Sequence, residues 1–280
     1  MDTAQIVADY ERDGFVFPIP VLDVDAVRDY RERLEHLERR YADDPTRLKC
    51  VRGYGQHGLR FIDEIVRQPR ILEAVGAILG PDLLVFGCSM FIKEAHTPDY
   101  VSWHQDLTYW GLSDQAQVTA WLALSPATLE SGCMQFVAGT HRSPIVEHKD
   151  SFARHNLLTR GQEIAVAVDE ASAVDVVLAP GEVSLHHGHI FHASRPNRSD
   201  DRRIGVAIRY ISPQMKQGEG GRSYARLVQG EDRYGHFRLN PAPTRDEPDA
   251  SDFERMQAAM AANESVLYVD ASQQGKRLNG

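Results

Sequence analysis

The chain has 280 residues, with 31 Lys plus Arg against 40 Asp plus Glu and a formal charge of -9, which removes any general attraction to nucleic acid or to an anionic membrane and points to a small-molecule partner. Its three cysteines, Cys50, Cys88 and Cys133, are odd in number and form no CxxC pair, which argues against a disulfide framework or zinc knuckle and fits reduced thiols in a cytosol. No run of about 18 apolar residues occurs, and the opening stretch MDTAQIVADYERDGF carries charge where a signal peptide needs an apolar centre, so a cytoplasmic chain without membrane contact is expected. Oligomeric state is not legible.

Residues 3–13 and 23–42 read as helices: Val24, Val27, Tyr30, Leu34 and Leu37 recur at three- and four-residue steps with charges between them, and Pro18 and Pro20 separate the two segments. FIDEIVRQPRILEAVGAILG reads as a third helical stretch, interrupted at Pro69 and ended by Gly80. PDLLVFGCSMFIK follows with the apolar, β-branched content of a long strand. QVTAWLALSP, GCMQFVAGTHR, VDVVLAPGEVSLHHGHIF and RRIGVAIRYI are shorter strand-like runs between Gly, Pro, Ser and Asp turns, with a less regular insert over 143–170. Helices first and strands afterwards predict a mainly β fold with flanking helices, a β-sandwich or jelly roll rather than a parallel βαβ sheet. One domain over 1–280 is expected, with the helices of 1–80 packed on a core of about 81–215 and a C-terminal extension over 216–280.

Within SWHQDLTYWGL, an extended backbone sends His104 and Asp106 to one face and Gln105 to the other. One imidazole and one carboxylate suit a divalent first-row metal, and a second histidine would complete the facial triad of non-heme iron oxygenases. An isolated HxD pair is weak evidence, so a third ligand is needed. GEVSLHHGHIFHASRPNRSDDRRIGVAIRY offers His186, His187, His189 and His192, any of which is also an ordinary hydrogen-bonded strand residue. His192 is set apart by Ser194 at plus two and Arg203 at plus eleven, with the SRPNRSDD turn between, so two adjacent strands would bring histidine and arginine to one cavity. An arginine fork binds a carboxylate bidentately, and a serine hydroxyl adds one more hydrogen bond. In the next strand, residues 203, 205, 207 and 209 are Arg, Gly, Ala and Arg, whereas 204, 206, 208 and 210 are Ile, Val, Ile and Tyr. One face is packed, and the other leaves room beside Arg203 for a ligand.

Together, WHQDLTYW, SGCMQFVAGTHR, HASRPNRS with its arginine at plus eleven, and LVQGEDRYGHF resemble the phytanoyl-CoA dioxygenase-like branch of the Fe(II)- and 2-oxoglutarate-dependent oxygenases, over roughly residues 8–245. The resemblance implies a double-stranded β-helix, the cupin-like jelly roll. It implies His104, Asp106 and His192 as catalytic iron ligands, Arg203 and Ser194 on the distal carboxylate of 2-oxoglutarate, and Met90 and Trp121 lining that cosubstrate. O2 is the second cosubstrate, with succinate and CO2 released as a C–H bond is hydroxylated. Ala138 and Thr140 stand where the family usually has Pro and Ser. Related halogenases carry a small residue at the position of Asp106, so the carboxylate here implies hydroxylation, or desaturation or ring chemistry, rather than chlorination.

Among candidate substrate residues, Trp110 reads equally as core or as a substrate-facing wall. Lys93 and Arg209 read as solvated rim groups, with pairing to an anionic substrate as the alternative. His186, His187 and His189 read as structural or as supports of the ligands, His186 being the substitute should His192 fail. His141 reads as a turn residue and His36 as an ordinary surface group. Two rivals stand beside the oxygenase: a zinc hydrolase on the same three ligands, which gives Arg203 and Ser194 no task, and a metal- or ligand-binding protein without turnover.

Overall fold

A computed structural model describes residues 1–218 and 222–268; residues 219–221 and 269–280 of the expected C-terminal extension lie outside the described residues. The helices are α1 (Thr3–Asp13), α2 (Val24–Arg40), α3 (Pro45–Tyr54), α4 (Arg60–Val66), α5 (Pro69–Leu79) and, near the C-terminal end, α6 (Ala250–Leu267). The strands are β1 (Phe15–Pro20), β2 (Leu83–Lys93), β3 (Val101–His104), β4 (Gln117–Ala123), β5 (Met134–Val137), β6 (His148–Asp150), β7 (Gln162–Ile164), β8 (Val174–Val176), β9 (Glu182–His187), β10 (Phe191–Ser194), β11 (Arg203–Ile211), β12 (Tyr224–Gln229) and β13 (Arg238–Leu239). They form a seven-stranded sheet in the order β1-β9-β4-β11-β2-β12-β13, a four-stranded sheet β3-β10-β5-β8 and a small β6-β7 pair. The larger two make the jelly roll.

Local chemistry sets the helix ends. Asp2 and Asp23 accept backbone N–H groups at the starts of α1 and α2, and Gly14 closes α1 at φ 86°, donating to Tyr10 O. Pro69 opens α5 instead of interrupting a longer helix, because a first-turn residue has no intrahelical partner for the N–H that proline lacks. Among the elements not anticipated, three show their local cause. β1 contains both Pro18 and Pro20 and pairs only with β9 at the sheet edge, where a missing donor is tolerated. α3 starts with Asp44 as cap and Pro45 in its first turn. α6 starts on a capping box formed by Asp249 and Asp252.

The alternation along β11 divides the molecule into two interiors. Ile204, Val206, Ile208 and Tyr210 are all fully buried and join Val118, Ala120 and Leu122 of β4 under the apolar faces of the helices, including Leu34, Ile62 and Val75. Each such side chain contributes about 1.5–3 kcal/mol by leaving water. The opposite face of the same sheet looks toward the small sheet, where Trp121, Ala123 and Ala207 meet Met134, Phe136 and Val176. His104, Asp106, Trp121, His192, Ser194 and Arg203 lie between these facing sheets. Among the described residues, no helix is long and apolar enough to cross a membrane.

Candidate active site

His104 ends β3, and His192 sits directly opposite it on β10. Their ring centroids are 3.9 Å apart. After His104 the chain leaves the strand and enters a short 3-10 turn over Asp106–Thr108, which swings the Asp106 carboxylate back toward both rings. Its Oδ1 lies 3.5 Å from His104 Nε2 and 3.8 Å from His192 Nε2. One ligand atom from each of these three residues falls within 4.8 Å of the others.

Both imidazoles are oriented from behind. His104 Nδ1 lies 2.9 Å from Ser102 O and 3.1 Å from His192 O, and His192 Nδ1 lies 3.0 Å from Ile190 O. Carbonyls accept only, so each Nδ1 carries the proton and each Nε2 keeps its lone pair for the centre. Burial, and then the neighbouring His104, hold His192 well below its ordinary pKa and therefore neutral. Burial would raise the Asp106 carboxyl, but the surrounding imidazoles of His104, His186 and His192 hold it well below the usual carboxylate range. The result is two nitrogen donors and an anionic oxygen, without thiolate, a donor set that suits Fe(II).

Several supports had no sequence signal of their own. Thr119 donates to Asp106 Oδ2 at 3.1 Å, and its hydroxyl accepts from Gln117 Nε2 at 2.7 Å. Gln105, pointing away from the centre as its position requires, donates to His189 O at 3.0 Å and accepts from Val146 N at 2.8 Å, pinning the turn. His186 Nε2 lies 3.6 Å from Asp106 Oδ2, outside the three-residue ligand cluster. Trp121, Ser194 and Arg203 line one chamber with the three candidate ligands.

Arg203 and Ser194 meet differently from the expected pairing of adjacent strands. β10 belongs to the four-stranded sheet and β11 to the seven-stranded one, so the turn between them crosses the sandwich and the two residues face each other across it. Arg203 is 1 % exposed; Nη1 donates to Gly132 O at 2.9 Å, and buried Nε has no partner. The guanidinium lies over the Trp121 ring, 5.2 Å from its centroid. No carboxylate among the described residues pairs with it, and burial lowers its pKa to about 10. A buried, uncompensated fork is costly unless a ligand carboxylate completes it.

Four expectations are corrected. Lys93 is fully buried rather than on a solvated rim: its Nζ donates to Ser194 Oγ at 2.7 Å and to Arg195 O, behind the chamber. Burial, then Arg203, lower its pKa well below the usual range. Met90 lies in the apolar core under the helices, because alternation on β2 turns Ser89 and Phe91 to the cavities and Met90 away. The space beside Gly205 is filled by the Trp121 indole, which a Cβ there would overlap; ligand room comes from Ala207 instead. Arg209 is half-buried and lines the chamber, not an outer rim. Trp110 serves both readings at once, packing 6.1 Å from Phe86 while lining a cavity.

That second cavity, about 880 Å³ out to its open mouth, shares Phe91, His104, Asp106 and Arg209 with the chamber. Its far wall comes from elements not anticipated in sequence: Tyr54 at the end of α3, Gln56 and His57 just after it, and Asn263 on α6. The chamber thus meets, at the candidate ligand cluster, a larger and partly aromatic cavity, an arrangement with room for two molecules side by side.

The phytanoyl-CoA dioxygenase family model matches residues 10–205. L-proline trans-4-hydroxylase of Streptomyces griseoviridis is 27% identical over 226 residues, 72% of this chain and 83% of that protein. The structure of the non-heme monooxygenase ThoJ in its apo form superposes with a TM-score of 0.84 at 32% identity, covering 94% of this chain and 97% of the other. CytC3 with Fe(II) and alpha-ketoglutarate shares the fold at a TM-score of 0.62, with 22% identity over 87% of this chain and 97% of its own.

Proposed function

The chain belongs to the phytanoyl-CoA dioxygenase family of Fe(II)- and 2-oxoglutarate-dependent oxygenases, and from that premise we propose that it hydroxylates an unactivated C–H bond of a small or medium polar metabolite, releasing succinate and CO2. Residues 1–280 act in this reading as one oxygenase domain in the cytoplasm. The observation that carries it is the pairing of a three-donor cluster within 4.8 Å with a buried arginine that lacks a carboxylate partner in the same chamber.

His104, Asp106 and His192 would hold the metal with two nitrogen donors and one carboxylate oxygen. Bound there, iron and 2-oxoglutarate supply the oxidising chemistry, with O2 as the second cosubstrate. Arg203 takes the distal carboxylate, Ser194 adds a hydroxyl, and the Trp121 ring supports the guanidinium. Lys93 Nζ donates to Ser194 Oγ and so orients that hydroxyl from behind the chamber. Thr119 keeps Asp106 in its orientation, as hydrogen-bonded carboxylate ligands require. The buried Trp121, Met134 and Ala207 side chains lower the local dielectric, which strengthens each of these contacts. Trp110 and Arg209 face the larger cavity and touch the substrate.

The test begins with anaerobic addition of Fe(II) and 2-oxoglutarate, which should produce a visible charge-transfer band, followed by an aerobic screen for succinate. Succinate formation stimulated by polar metabolites is the expected result. A screen in which only long acyl thioesters stimulated turnover would reject the substrate class, and absence of the band would reject the cofactor assignment.

A further inference from the structure

The larger cavity contains polar atoms that the fold leaves unmatched. Arg209 comes from β11, opposite Gly87 on β2 and opposite Thr119 on β4, the residue that holds Asp106. Its Nη1 donates to Ser89 Oγ at 2.5 Å, while its buried Nε has no partner. The guanidinium lies 5.4 Å from the Trp110 ring centroid and 5.8 Å from that of Phe91. Among the described residues, no carboxylate forms an ion pair with it. Gln56, only 1 % exposed, has an unpartnered Oε1, and Ser223, 4 % exposed, has an unpartnered Oγ. Both line the same cavity as Arg209.

Each unmatched group specifies part of a ligand. A guanidinium fork against aromatic faces takes a planar anion and is poorly served by water alone. The Gln56 oxygen accepts only, so it calls for an N–H or O–H donor, and the Ser223 hydroxyl can serve either role. Leaving such buried groups unpaired costs more than the pairs gain, so a ligand that satisfies them is strongly selected over an isostere lacking them.

Resting on the oxygenase reading above, we infer that the substrate is an organic acid: its carboxylate binds Arg209, an amino or hydroxyl group on the same molecule donates to Gln56, and its hydrocarbon part lies along Trp110 and Phe91. Because Arg209 borders both cavities, the substrate carboxylate sits beside the ligand cluster while the rest of the molecule extends toward α3 and α6.

The experiment uses the full chain loaded anaerobically with Fe(II) and 2-oxoglutarate. The probes are L-amino acids, 2-hydroxy acids and arylalkanoic acids, each beside its primary amide, with calorimetric affinity and perturbation of the charge-transfer band as readouts. At least one acid should bind about 100-fold more tightly than its amide, and Arg209→Gln should remove that preference while Arg209→Lys restores part of it. The band titration with 2-oxoglutarate should stay unchanged in Arg209→Gln, which also reports that the variant is folded. If that variant fails to fold, the acid-to-amide comparison on the natural chain decides alone. Binding by no acid, equal binding by the amides, or loss of 2-oxoglutarate affinity in place of acid affinity overturns the inference. A natural chain that gives no band at all indicts the oxygenase reading instead, so the two failures are distinct.

Discussion

On one side of β11, Ile204, Val206, Ile208 and Tyr210 meet helices; on the other, Arg203, Gly205, Ala207 and Arg209 meet the second sheet and the cavities. The helix side is dry and apolar, with Tyr210 satisfied by donating from its hydroxyl to Val66 O at 2.8 Å. The cavity side carries two guanidinium groups whose Nε atoms are buried without partners. A single strand thus places its stability on one face and its unmet chemical demand on the other. The two faces should therefore respond in opposite ways to truncation.

The sharpest way to break that comparison is Arg203→Ala. Loss of a buried bidentate contact should weaken 2-oxoglutarate affinity by about 2 to 5 kcal/mol, while the melting temperature of the unloaded protein should not fall, because an uncompensated buried cation has been removed. Titration calorimetry beside thermal unfolding checks both halves. Unchanged cosubstrate affinity would mean that a different cation carries the carboxylate.

Ile208→Ala, one helix-facing position away from the cavity residues, should do the reverse. Stability should drop by about 2 to 5 kcal/mol in denaturant unfolding, since a fully buried side chain leaves a void, with cosubstrate affinity of the folded fraction retained. A parallel loss of affinity would show that the faces are coupled rather than divided.

A smaller effect sits at the border of the two regions. His57 is buried; desolvation, then Arg226 and Arg255, lower its pKa from 6.5 to about 3. Between those values the unfolded chain binds a proton that the folded chain excludes, so this contribution to stability is intact above pH 6.5 and declines as pH falls toward about 3. The slope is at most about 1.4 kcal/mol per pH unit. Unfolding measured from pH 7 to 5 should show a shallower acid decline in His57→Gln than in the natural chain.

How much of this was legible in sequence follows the range of the interactions. Alternation over 203–210 and the HxD spacing are local, so the two faces of β11 and the shared direction of His104 and Asp106 could be read directly. α1 and α2 were legible for the same reason, α2 through its apolar steps and both through the prolines between them, whereas their aspartate caps emerged only in the structure. Met90 was misassigned because FGCSMFIK is apolar on both faces and alternation alone gives no sign. Lys93 was misplaced because its partners stand on the β10 segment, Ser194 and Arg195, out of reach of any local pattern. Gly205 promised space, but only the register of β11 with β4 reveals that Trp121 occupies it. The wall formed by α3 and α6 was missed because neither helix carries a strong apolar stripe, and their place at the cavity is a tertiary fact.

The most direct measurement is an anaerobic Fe(II) titration of the natural chain and of His192→Ala, in the presence of 2-oxoglutarate, with both proteins checked for folding by circular dichroism. One iron per natural chain and none retained by the folded variant is the expected result, since removing one of three protein donors leaves too few to hold the ion. Stoichiometric binding that survives in His192→Ala, or its absence in the natural chain, would contradict a metal centre built from His104, Asp106 and His192.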